Sequence, residues 1–121
     1  MRFFAALCLV LSIAAPAAAQ HRSPVQRQVL IDLSRTIGES HALRQLCEGD
    51  DDQYWRERMK SLVNAERPEA SLETALLNAF NAGFEQRSAQ FRACSPAARR
   101  ALAQASAKGS ALARRLAKPE G

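Results

Sequence analysis

His41 and Arg44 stand three positions apart, which puts both on one face of a helix. A histidine beside acids can move a proton near neutral pH, and a guanidinium can hold a carboxylate or phosphate. Acids are close in sequence: Glu39, Glu48 and the run Asp50-Asp51-Asp52. Trp55 and Arg56 follow, adding an aromatic and a second guanidinium. His41, Arg44, Trp55 and Arg56 therefore form a candidate binding cluster for a small ligand or a partner. The alternative is a network of caps and ion pairs closing three helix ends, whose terminal amides and carbonyls need partners. The chain has no Gly-x-Ser-x-Gly, no His-Glu-x-x-His and no glycine-rich phosphate loop. No catalytic residue is assigned, and an enzyme using His41 and nearby acids ranks behind two non-catalytic readings.

A second pattern is electrostatic. From Arg87 onward there are eight basic residues and one acid, Glu120, whereas residues 20–86 carry eight basic and eleven acidic side chains. At about 100° per residue, Arg99, Arg100, Lys108, Arg114, Arg115 and Lys118 spread over roughly half of a helix, with Leu102, Leu112 and Leu116 opposite. These six cations are the candidate contact with an anionic surface, such as phospholipid headgroups, envelope polysaccharide or an acidic protein. The alternative is an ordinary bundle helix whose outer face is cationic and pairs with the acidic first half. Three leucines make a thin apolar stripe, so weak docking and fraying are expected.

Three cysteines are present, and their context separates them. Met1-Arg2 begins a stretch in which Phe3 to Ala15 carries no charge, Pro16 breaks the run and Ala17-Ala18-Ala19 follows. That order is the positive, apolar and small-residue pattern of a secretory signal peptide, expected to be cut after Ala19. Cys8 lies within it. Cys47 and Cys94 remain, 47 positions apart, and an even count in an exported chain predicts a disulfide between them. Two cysteines and two scattered histidines lack zinc-ligand spacing, so no metal and no cofactor are assigned. An amino-terminal copper or nickel site through His21 would need a cut one residue earlier, and is set aside.

These residues need elements to carry them. A chain of 121 residues with 47% hydrophobic content accommodates one small domain and excludes a dinucleotide-binding doubly wound sheet or a large barrel. Aromatics make up only 6%, few for an all-β core, and no segment alternates apolar and polar residues for long. Helical spacing instead recurs four times. Ser23-Pro24 with Gln26 caps a first helix that Cys47, Glu48 and Gly49 close, with Gly38 as a point of bending. A second helix follows the Asp50–Asp52 run, one acid capping it, and ends at Glu66-Arg67-Pro68. A third opens at Ser71-Leu72 and reaches Ala93-Cys94, with Asn78, Asn81 and Gly83 diluting its propensity. Ser95-Pro96 starts the fourth, which runs to about Ala117 before Pro119. Short connections favour antiparallel neighbours. The expected fold is all-α: an antiparallel bundle of about four helices with one disulfide, preceded by a signal peptide. It divides into the leader 1–19, a disulfide-stapled three-helix core 20–95 and a basic amphipathic helix 96–121. If the first three helices run up, down and up, Cys47 and Cys94 meet at one end.

The segments His41-Ala42-Leu43-Arg44-Gln45-Leu46-Cys47, Asp52 to Met59, Phe80-Asn81-Ala82-Gly83-Phe84 and Cys94 resemble an uncharacterised family of small exported alphaproteobacterial proteins. The resemblance spans about residues 28–95 and leaves the basic tail outside. It implies an envelope location and a disulfide between two well-separated cysteines, here Cys47 and Cys94, and no activity. A looser similarity to small periplasmic acid-stress chaperones is one of architecture only. The leading expectation is a periplasmic, non-enzymatic binding or scaffolding protein whose partner is an envelope protein or an anionic envelope surface. A stress holdase is the alternative. Export removes cytosolic nucleic acid as a partner despite a net charge of +5, and no transmembrane helix is expected after processing.

Overall fold

The computed structural model describes residues 22–118. The expected leader, His21 and the stop at Pro119 lie outside the described residues, which form four α-helices and no strand: α1 (Pro24–Glu48), α2 (Tyr54–Glu66), α3 (Ala70–Gln90) and α4 (Pro96–Ala117).

Local chemistry sets these ends. Ser23 accepts from the Gln26 amide at 3.1 Å while the Gln26 side chain accepts from the Ser23 amide at 3.3 Å, the reciprocal box expected from Ser-x-x-Gln. Ser95 accepts from the Ala98 amide at 3.1 Å, and Pro24 and Pro96 occupy first turns whose amides need no partner. At α2 the acid that helps is Asp52, which accepts from the Tyr54 amide at 3.2 Å from just upstream of the Gln53 cap position. The helix stops on Arg67 in the left-handed region (φ 49°), before Pro68. Helix α3 ends at Gln90, earlier than Ala93-Cys94, because Phe91 turns extended and packs on the cluster of Leu43, Ala98 and Ala101.

The helices run up, down, up and down, and α1 is the hub. It packs broadly against α3 and α4 and more narrowly against α2. The main core joins Val29, Leu30, Leu33 and Ile37 of α1 to Met59 of α2, Leu72 and Leu76 of α3, and Leu112 and Leu116 of α4. Helix α4 is docked along its length, since Ala98, Ala101 and Ala105 add buried small side chains to those two leucines. Arg22 closes the opposite end from the cysteines. It donates to both Glu66 oxygens at 3.0 and 2.7 Å and to the Leu116 carbonyl at 3.1 Å, tying the start of α1 to the ends of α2 and α4.

Helix α1 runs unbroken through Gly38, from Pro24 to Glu48. A Cβ at Gly38 would lie 1.9 Å from the Phe80 carbonyl oxygen, and one at Gly83 would lie 2.1 Å from that of Arg35. The two glycines let the parallel helices α1 and α3 cross with their backbones in direct contact.

Candidate functional site

The disulfide Cys47–Cys94 is formed, with an S–S distance of 2.01 Å, and it joins the end of α1 to the segment leading from α3 into α4. The up-down-up arrangement brings the two cysteines together as expected.

Around that end the four residues of the candidate cluster go to four different places. His41 is buried in the α1–α3 interface, its ring 5.7 Å from that of Phe80 and 5.3 Å from that of Phe84. Its Nδ1 is buried without a hydrogen-bond partner. Burial first, and then the positive charge of Arg56, hold the imidazole below the ordinary histidine value, against a weaker opposite pull from Asp52. The folded chain thus binds this proton less readily than the unfolded chain does. The stability tied to His41 is complete above the ordinary value of 6.5 and is lost as pH falls from there through the lower folded value. In urea melts across that window, wild-type stability is expected to fall with acidification, and His41→Leu is expected to flatten the trend.

Arg44 instead turns to α2, donating through Nε to Asp52 Oδ2 at 2.8 Å and stacking its guanidinium 4.7 Å from the Tyr54 ring centre. That hydrogen bond, joined by the one from the Tyr54 amide, keeps Asp52 below the usual carboxylate range. Tyr54, absent from the candidates, is the aromatic that gathers cations. Arg58 also lies over it at 5.1 Å and donates to its hydroxyl at 2.9 Å. The i, i+4 spacing of Tyr54 and Arg58 is the signal that pointed there.

Trp55 and Arg56 are neighbours in sequence and diverge in space. Trp55 lines a groove of about 390 Å³ between α2 and α4, floored by α1. Arg56 lines a separate groove of about 540 Å³ between α2 and α3. Consecutive helical side chains point about 100° apart, and α2 sits on the hub with one groove on each flank. No single pocket holds His41, Arg44, Trp55 and Arg56 together among those that line these grooves.

The cationic face of α4 is a continuous feature. Arg99, Arg100, Lys108, Arg114, Arg115 and Lys118 are all exposed. None takes part in an ion pair among the described residues, where α4 carries no acid of its own. Acids of the first half that form ion pairs do so with bases outside α4: Glu66 with Arg22, Glu69 with Arg27, Asp52 with Arg44 and Glu39 with Arg87 of α3. The opposite side of α4 is committed to α1 through its alanines and leucines. No described helix is long and apolar enough to cross a membrane.

The family described as "Protein of unknown function (DUF2385)" matches residues 24–119, and the chain belongs to that family. The match takes in α4, so it extends beyond residue 95, where the resemblance read from the sequence ended. No curated protein matches the chain, and no solved structure does.

Proposed function

We propose that this member of the family is an exported, non-enzymatic binding or scaffolding protein of the cell envelope, held to an anionic surface by the arginine face of α4. It acts in the periplasm, where the signal-peptide pattern of residues 1–19 directs it. The observation that carries this reading is the set of six exposed cations with no ion pair among the described residues, on a helix whose apolar side is already buried. An arginine face left unneutralised while acids elsewhere in the chain pair with other bases offers its charge to an external anion.

The same geometry supports one mode of attachment. Leu112 and Leu116 are buried in the core, so α4 has no apolar edge to sink between lipid tails. Contact is therefore peripheral and electrostatic, each cation near an anionic membrane adding about 1 kcal/mol and salt screening the sum.

Vesicle sedimentation tests this. The protein is expected to pellet with phosphatidylcholine vesicles containing phosphatidylglycerol, to be released by salt, and to ignore vesicles of phosphatidylcholine alone. Deleting α4 would strip two leucines from the core, so the informative variant neutralises Arg99, Arg100, Arg114 and Arg115 to glutamine. Its retention is expected to fall at least about tenfold with the fold intact by circular dichroism. Retention equal to that of wild type would overturn the proposal.

A further inference from the structure

The groove between α2 and α3 has a direction. Because the two helices are antiparallel, Arg56 lies opposite Phe80 and Asn81 at one end, and Val63 lies opposite Glu73 at the other. The lining runs over Arg56 to Asn64 on one helix and Glu73 to Asn81 on the other, a span of roughly 12 Å at 1.5 Å per residue. Between the polar ends the walls are Met59, Val63, Leu77 and Phe80. Leu77 is 44% exposed, a large apolar side chain left uncovered at the middle of the groove.

Charge complements this shape. Lys60 is already engaged with Glu57 at 3.2 Å. Arg56 has no ion pair among the described residues, and neither has Glu73 at the far end. The cation at one end and the apolar floor beside it suit a linear molecule with an anionic head and an apolar tail, and the acid at the far end disfavours a second anion there. A volume of about 540 Å³ falls within the range of small-ligand sites.

We infer that this groove binds a medium-chain carboxylate, with its alkyl chain along Met59, Val63, Leu77 and Phe80 and its carboxylate on the Arg56 guanidinium. The inference does not rest on the α4 surface. It carries its own signature, because the charge of Arg56 helps to keep the buried His41 neutral. A carboxylate that neutralises Arg56 must raise the pH at which His41 titrates.

Decanoate, kept below its micelle threshold, serves as probe against protein purified from expression of the full chain and followed by NMR. Saturable binding is expected, with shifts at Met59, Val63 and Leu77. Decanol and acetate are each expected to bind at least about tenfold more weakly, since each lacks one of the two recognised parts. Arg56→Gln is expected to weaken decanoate at least about tenfold and to leave decanol unchanged. His41 should titrate at higher pH with decanoate bound and not with decanol. The variant neutralised on α4 should bind decanoate as wild type does. Absence of saturable binding, equal affinity for decanoate and decanol, shifts confined to α4, or an Arg56→Gln protein that binds normally would each overturn the inference.

Discussion

Replacing Gly38 with alanine will destabilise the protein by about 3 kcal/mol or more, although the same change stabilises an isolated helix by up to about 1 kcal/mol. The added carbon would stand 1.9 Å from the Phe80 carbonyl oxygen, 2.7 Å from its carbon and 3.0 Å from its Cα. All three are backbone atoms of a helix, so no side chain can swing aside. The whole of α3 must lift away from α1, loosening Leu72 and Leu76 and the aromatic contacts of His41 with Phe80 and Phe84. Gly83→Ala meets the Arg35 carbonyl oxygen at 2.1 Å and should behave alike. Gly109 is the control. A Cβ there meets only Thr36 Cγ2 at 3.6 Å and Leu33 Cδ1 at 3.9 Å, so Gly109→Ala should stabilise by up to about 1 kcal/mol. Urea melts of the three variants check the contrast, and a stabilised Gly38→Ala protein would contradict the close crossing.

Removing the disulfide is the second large effect. Cys47 and Cys94 enclose a loop of 47 residues, and opening it is expected to cost about 4 kcal/mol through the freedom returned to the unfolded chain. For a domain of this size that is a large share of all its stability. The bond also sits where three elements meet: the end of α1, the extended segment after α3 and the cap of α4. Reduction should therefore loosen α4 near Ser95 first, and hydrogen exchange in α4 should rise before that in the middle of α1. The Cys47→Ala, Cys94→Ala double variant, melted beside the oxidised wild type, measures the loss. Equal melting midpoints would contradict it.

Much of the framework was legible in one dimension because its signals are local. Ser23-Pro24, Ser95-Pro96 and Arg67-Pro68 mark helix ends through backbone chemistry that needs no tertiary context. The cysteine pairing followed from the count and from the export that the leader pattern predicts. The candidate cluster was less legible, because face arguments assume a helix with one wet side. Helix α1 is buried around much of its girth, and two of its buried hydroxyls are satisfied within the helix itself. Thr36 donates to the Asp32 carbonyl at 2.8 Å and Ser40 to the Thr36 carbonyl at 2.9 Å. His41 goes inward with them, while Arg44 has length enough to reach Asp52. The glycine crossing was hidden for a different reason. Gly38 and Gly83 each look like a flaw in their own helix, and only their meeting gives either a purpose. Periodicity along one helix holds no record of where another passes over it.

The hub position of α1 bears on how the protein can yield. Helices α2, α3 and α4 each lean on one common axle and have no broad contact with one another. Disturbance of α1 reaches all three spokes together, which makes for an all-or-nothing melt. Helix α2 has the slightest grip on the axle and an open channel on either flank, so the ion pairs at its two ends, Arg44 with Asp52 and Arg22 with Glu66, carry a larger part of its attachment than those of its neighbours do.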